Sequence, residues 1–417
     1  MFRFAAANHV TRSRGFRCYR AGVFAVALLG LLTLGSSQAR AGHIDCGATL
    51  MTSVILDGDL TDCPADGLIV GADNITIDLN GHTIDGPGTD DFRWDGVDNG
   101  AGHDRVTVKN GTIQDFGGDG VYIDNGGMAN GLENLVLADN GIGSEVIASQ
   151  TNSIQGATIE ENHAFGIVVG ESSHTRIQNS VIAQNEADGI LARNSSENVF
   201  DKNYIDAGAF GTGMQVLGGS GNKITQNVIT TSAHSFDGIF FASDAGVISK
   251  NDVHGFVDAA VFISGGEGQG GTRIEKNSVH DNGLGVLVRG NPFFCCLTGL
   301  VISKNVVFDN EVVGIGVRDV AEASVDSNFV HDNGLGVGVK NSIGVEATGS
   351  EVVANRSNGN ADDGIQVLVP GTTITGNSAN FNANYGIQAV VGAVDGGHNM
   401  ARGNGNPAQC LNVSCGP

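Results

Sequence analysis

The sequence predicts an all-β fold, a right-handed parallel β-helix (solenoid) of about 12–13 coils. Three observations carry that prediction. The octapeptide VHDNGLGV occurs twice, at 279–286 and 330–337, with a looser copy between them at 300–317. An Asn marker recurs at Asn179, Asn203, Asn227, Asn251, Asn277, Asn305 and Asn328, with gaps of 24, 24, 24, 26, 28 and 23 residues. The residues around the marker are β-branched and come in short alternating runs, too short and too regular for helical amphipathicity.

Each repeat supplies its elements in a fixed order. Three residues before the marker stand Phe200, Ile224, Ile248, Ile274, Ile302 and Val325; two after it stand Val181, Ile205, Ile229, Val253, Val279, Val307 and Val330. A further strand opens at Gly189-Ile190, Gly238-Ile239, Gly314-Ile315, Gly364-Ile365 and Gly386-Ile387. About three short strands per coil would stack at about 4.8 Å, and parallel crossovers of this kind wind to the right. A leucine-rich repeat has a similar period but needs leucines where this chain has Ile and Val. The register extends backward to Asn134, Asn110 and Asn80 and forward to Asn377, with Gly156 and Gly349 read as filling Asn positions. Stacked Asn amides can hydrogen-bond along the coil axis as a ladder, so the marker column is expected to lie inside a turn.

Composition fits tight turns without low-complexity disorder: 64 Gly against 6 Pro, and 6% aromatic residues in a core of small branched side chains. Residues 1–41 read as a secretory signal peptide, with five arginines before the apolar run at 21–35 and Ala39-Arg40-Ala41 at the cleavage point. Residues 42–71 are expected to form an N-terminal cap, 72–400 the β-helix and 401–417 a C-terminal cap. Removing 1–41 takes away six Arg and no acid, leaving 16 of the 22 bases against 45 acids. Such an acidic chain is unsuited to nucleic acid and to anionic membranes. An extracellular, periplasmic or cell-surface protein is expected, soluble after cleavage. Six cysteines remain in that oxidising setting. Cys46 and Cys63 bracket the start of the array and Cys410 and Cys415 its end, so each pair is expected to form a disulfide that fastens a cap. Cys295-Cys296 lie in an insertion at 290–299 that explains the 28-residue gap, and their pairing is open.

The opening stretch CGATLMTSVILDGDLTDCPADGLIVGADNITIDLNGHTIDG at 46–86 and the recurring N-x-V and D-G-I-x-V units resemble secreted right-handed parallel β-helix proteins of the pectate lyase-like superfamily, over roughly residues 46–400. That superfamily includes pectate lyases, polygalacturonases and mannuronan epimerases. The resemblance implies the fold and a polysaccharide or surface-glycan partner. The chain lacks the Asp-Pro-His-Asp motif of the epimerases, the Arg-x-Pro-x-x-Arg motif of the lyases and the Gly-His-Gly motif of the polygalacturonases; Asp362-Asp363 matches one piece of the last family's acid set.

The candidate site residues come from columns that change character on the same coils. Asp281, Asp309 and Asp332 follow the marker in three successive coils and would stack at about 4.8 Å, where repelling carboxylates could bind glycan or recruit Ca²⁺. No cofactor is otherwise required. Asp-Asn-Gly is also good turn chemistry. His280 and His331 share a column with His254, and Arg289, Arg318 and Lys340 close the following strand. On one reading the cations neutralise a uronate carboxylate and His280 or His331 moves the proton, giving lyase or epimerase chemistry with Arg289, His254 and the aspartates as substrate contacts. Glycoside hydrolysis is a variant, since carboxylates on alternate coils approach the separation of inverting acids. On the other reading the chain is a non-catalytic glycan-binding or structural module.

Overall fold

The computed structural model describes residues 40–41, 43–88, 93–232, 235–265, 270–291, 297–341 and 349–416. The expected leader lies outside these residues except for Arg40–Ala41, and Cys295 and Cys296 lie outside them too. The described residues fall in one compact unit, 38–417. Among them there is no helix; short strands assemble into a 29-stranded and a 16-stranded sheet.

One coil shows how the repeat becomes structure. Strands Arg176–Gln178 and Val181–Ala183 belong to the larger sheet and Ile190–Arg193 to the smaller. Each pairs in parallel with its counterpart one repeat later: Val199–Asp201, Tyr204–Ala207 and Met214–Ser220. This is the parallel β-helix that the repeat predicts. Alternation points Ile177, Ile182, Ile190, Phe200, Ile205 and Met214 inward, all fully buried. The stack includes strands in both segments expected as caps, from Ala48–Leu50 to Cys415–Gly416. Disulfides join Cys46 to Cys63 and Cys410 to Cys415, as expected.

The corners between strands are held by buried amides. Asn203 Nδ2 donates to Asn227 Oδ1 (3.0 Å) and to the Ile177 carbonyl (3.0 Å), and the ladder continues through Asn251, Asn277, Asn305, Asn328, Asn355, Asn377 and Asn399. A second ladder runs from Asn282 through Asn310, Asn333, Asn360 and Asn382 to Asn404 at the next corner.

The marker register needs two corrections. Asn179 is not a rung: Ser180 holds that position, its Oγ accepting the backbone N–H of Ala157 (3.2 Å) and its own backbone N–H donating to Asn203 Oδ1 (3.1 Å), while Asn179 itself sits at φ 51°. Asn80, Asn110, Asn134 and Gly156 share that left-handed slot, one residue ahead of the ladder. The two adjacent positions favour the same residue, one because Asn tolerates positive φ and the other because it can hydrogen-bond in both directions. Gly349 likewise lies at a different corner, before Ser350, and the rung it was expected to fill is Asn355.

The octapeptide is thereby accounted for almost residue by residue. Val279 and Val330 are core, Asp281 and Asp332 take φ 55°, and Asn282 and Asn333 are ladder rungs. A Cβ on Gly285 would meet the carbonyl of Gly314 in the next coil.

Asn305 accepts from the backbone N–H and side chain of Asn277 and donates to Ile274 O and Asn328 Oδ1, each at 2.9–3.0 Å. Removing it orphans several buried groups at a cost of about 1–3 kcal/mol each. Asn305→Ala should therefore lower the denaturation midpoint sharply, whereas Asp309→Asn, at an exposed left-handed position, should change stability by less than about 0.5 kcal/mol. Equal effects of the two substitutions in urea titrations would contradict the ladder's role.

Candidate functional site

The outer face of the 16-stranded sheet is a grid of side chains whose rows are coils. At its leading edge runs a column of aspartates. Asp66 Oδ1 accepts the backbone N–H of Asp95 (3.0 Å), and Asp95 Oδ1 accepts that of Asp119 (2.7 Å). The same device recurs where Asp188, Asp237 and Asp363 accept the N–H of Thr212, Ala259 and Tyr385. In these five coils, then, the aspartate of the Asp-Gly pair caps its neighbour's backbone.

Asp119 breaks the pattern. The next coil's Ile142 N–H goes to the Gly118 carbonyl (3.1 Å), and among the described residues the Asp119 carboxyl accepts no hydrogen bond although the residue is only 7% exposed. It faces a pocket of about 430 Å³ whose lining includes Arg93, Asp95, Tyr122, Glu145 and His163. Strand register places Tyr122 beside Asp98 on one side and Glu145 on the other. Glu145 Oε1 lies 3.7 Å from Arg193 Nη2, which reaches it across the intervening coil over Gly170.

Burial sets the electrostatics of this pocket. Desolvation pushes Asp95 up to about 7; the Asp119 N–H opposes the rise, and the charges of Asp66, Asp98 and Glu145 add to it. Asp119 is raised well above the usual carboxylate range by burial and then by Asp95 and Glu145. Glu145 is also raised by burial, with Arg193 opposing. Tyr122 is raised by burial and by donating its hydroxyl to Asp124 Oδ2 (2.8 Å). Buried carboxyls that hold protons toward neutral pH can act as proton donors.

The residues singled out in the sequence occupy other places. Arg289, Arg318 and Lys340 are in register on three adjacent strands of the smaller sheet and border a separate groove of about 240 Å³. His254, His280, Phe308 and His331 form a stack on the larger sheet, with ring centroids 5.0, 4.7 and 5.2 Å apart. None of these histidines lines the cationic groove, so the structure does not bring the expected proton carriers and cations together. His280 Nδ1 and His331 Nδ1 each bind the neighbouring Asp281 or Asp332 at 2.7 Å. Asp281 and Asp309 border a third pocket with Glu311. Among the described residues no three His, Cys, Asp or Glu side chains converge as a metal site requires, so Asp281, Asp309 and Asp332 do not form the expected Ca²⁺ cluster. They are spread along a left-handed corner column, two of them turned to histidines.

The pocket residues were missed because its two aspartates, taken singly, are ordinary turn residues and Glu145 an ordinary outward strand residue. The available signal was three Asp-Gly pairs followed by Leu or Val in consecutive coils, at Asp66, Asp95 and Asp119.

Compared with family descriptions, the sequence matches the right-handed β-helix region over residues 95–240, 209–319 and 237–405. The chain belongs to that family. Its right-handed winding follows from that membership. Among solved structures this β-helix resembles the A-module of the Azotobacter vinelandii mannuronan C-5 epimerase AlgE6, at 13% identity and TM-score 0.50, over 89% of this chain and 91% of that one. It also resembles the periplasmic alginate epimerase AlgG (13%, TM-score 0.46, 72% and 80%) and the Dettilon tailspike protein (15%, TM-score 0.48, 73% and 62%). At these identities the likeness is one of fold. No curated protein matches the sequence.

Because the folded pKa of Asp95 lies above its ordinary 3.8, its contribution to stability is fully present below that value and is lost as pH rises through about 7. Asp95→Asn keeps an oxygen for the Asp119 N–H. The variant should melt higher than the wild type at pH 8, with the difference shrinking toward pH 4. A pH-independent difference in melting temperature would refute this assignment.

Proposed function

We propose that this β-helix acts on an extracellular polysaccharide by acid–base chemistry in the pocket of Asp95, Asp119 and Glu145. The observation that carries this reading is the Asp119 carboxyl, buried, raised in pKa and accepting no hydrogen bond among the described residues, yet facing an open pocket. Its proton is available to a glycosidic oxygen, and Glu145, raised by burial with Arg193 opposing the rise, would in its ionised form support positive charge developing at the anomeric carbon or activate water. The disulfides fit an oxidising compartment, which is where such a glycan would be met.

Uronate elimination or epimerisation is the second reading, favoured by Arg93, Tyr122 and His163 in the same pocket. It requires a base at the sugar C–H. Tyr122 is poorly suited, since its raised pKa and its hydrogen bond to Asp124 both hold its proton. His163, 3.5 Å from Glu186, would have to serve. Hydrolysis asks less of the groups present.

Assays on neutral and uronate glycans that read both reducing ends and unsaturated products separate the two. Hydrolysis predicts reducing ends without unsaturation, a rate that falls as pH rises through the raised pKa of Asp119, and a loss of about 10²–10⁴-fold in Asp119→Asn with the fold intact. Unsaturated products that persist in Asp119→Asn but vanish in His163→Ala would transfer the chemistry to the second reading. No reducing ends, no unsaturated products and no inversion at the uronate C-5 by NMR on any glycan would remove both.

A further inference from the structure

The smaller sheet presents two outward columns whose character changes along the coil axis. In the first, register leads from Asp98 through Tyr122 to Glu145. It then turns neutral or apolar through Val168, Leu191, Gln215, Phe240, Phe262 and Leu287. In the second column, Leu217, Ala242 and Ser264 stand two residues beyond Gln215, Phe240 and Phe262, and the column ends in Arg289, Arg318 and Lys340. One face therefore carries acids at one end, an apolar middle and bases at the other.

Each third is well marked. Residues 42–170 hold 21 acids against 3 bases, so the bases of the second column stand far from the acidic end. Arg193 is the one base that the two columns place near that end, and it is directed at Glu145 (3.7 Å). In the middle, Phe240 and Phe262 pack edge to face with ring centroids 5.3 Å apart, and neither column holds a charged side chain from Gln215 to Ser264. Apolar exposure continues onto the corner that leads into these strands, where Phe210 is 83%, Phe236 58% and Val257 52% exposed. A contiguous apolar patch of this kind marks a contact surface.

A surface ordered in this way is complementary to itself when a second copy is turned end for end. A two-fold axis perpendicular to the sheet reverses the order of coils and exchanges the two columns. Centred between Gln215 and Leu217, it carries each coil to the one equally far on the other side. Glu145, three coils before the axis, then faces Arg289, three coils after it; Tyr122 faces Arg318 and Asp98 faces Lys340. Beside the axis Phe240 faces Arg193, an arrangement suited to a guanidinium on an aromatic ring. A pairing that kept the coils in the same order would instead set acids on acids and bases on bases.

We propose that two copies of this chain pair through the outer face of the smaller sheet, antiparallel, about a two-fold axis at the coil of Gln215. The aromatic patch forms the centre, and the bases of each copy meet the acids of the other at both ends. An apolar centre within a charged margin is the usual anatomy of such a contact. From Asp98 to Lys340 the strip is roughly 48 Å long at about 4.8 Å per coil, and four strand residues make it about 13 Å wide. Roughly 600 Å² on each copy is the scale of a specific pair. Each copy is acidic overall, with a formal charge of −23, so the matched ends also select the one alignment that repulsion permits. The partner's basic coils then lie over the Asp119 pocket, which is open in the single chain and covered in the pair. The pairing itself does not depend on what that pocket catalyses.

Sedimentation and small-angle scattering of the full chain decide the matter. At micromolar concentration the wild type should have twice the mass of one chain and a maximum dimension near the length of one β-helix, because the copies lie side by side. Arg289→Glu/Lys340→Glu and Asp98→Lys/Glu145→Lys should each sediment as single chains, and mixing the two should restore the pair, since each reversed end then meets its opposite. Gln215→Asp/Leu217→Asp sets four acids at the axis and leaves every matched end in place. It should weaken pairing at least about ten-fold while melting like the wild type, and it serves if a charge reversal disturbs the fold. The proposal is overturned if the wild type is a single chain, if the pair has twice the length of one β-helix, if pairing survives the axis substitution or either folded reversal, or if folded reversed chains fail to recombine. Only mass and shape are read, so these outcomes are separate from whether the Asp119 pocket turns over a glycan.

Discussion

Everything in this fold depends on buried side-chain amides satisfying one another along the coil axis. A coil must turn three times within some 24 residues, and each turn brings backbone N–H and C=O groups into the interior where water cannot reach them. Asn is the residue that can accept from one coil, donate to the next and also bond a strand carbonyl, as Asn277 does with Asn251, Asn305 and Ile248. The ladder propagates only if every rung stands at the same height, so it fixes the register of all strands together. Coil length may vary only outside the rungs, which is why the insertion at 290–299 lengthens one gap without moving Asn305 out of line.

That constraint governs how much of the molecule can be read from its sequence. The fold was legible because register imposes itself on the letters: core residues at fixed offsets, a left-handed residue, then Asn. The one-residue slip at Asn179 marks the limit, since the left-handed slot and the rung favour the same side chain and only the hydrogen bond of Ser180 to Asn203 tells them apart. The repeated VHDNGLGV looked informative because it was identical, but identity between coils is what stacking demands. His280 and Phe308 exchange places in one column because either ring can stack, at 4.7 Å, on its neighbour. The cation column was visible because three bases in register are scarce in an acidic chain.

The acidic pocket was not legible for a related reason. Asp95 and Asp119 carry the same Asp-Gly signature as Asp188, Asp237 and Asp363, which cap backbone N–H groups in other coils. What separates Asp119 is a hydrogen bond that it does not receive, because Ile142 donates to Gly118 instead. No spacing rule reports a carbonyl that outcompetes a carboxylate. A structure in which neighbouring coils can be compared does.

The comparison between coils also shows why chemistry would concentrate at the amino-terminal coils of the smaller sheet. A capping aspartate is stabilised as an anion by the N–H it accepts, and in Asp95 that bond opposes the effect of burial. Remove the bond while keeping the burial, as at Asp119, and nothing remains to hold the negative charge, while Asp95 and Glu145 both disfavour it. The carboxyl then keeps its proton through a range in which ordinary aspartates have lost theirs. A repetitive scaffold can thus make a proton donor without introducing a new residue type, by rerouting one backbone hydrogen bond in one coil and leaving the rest of the column to its structural task.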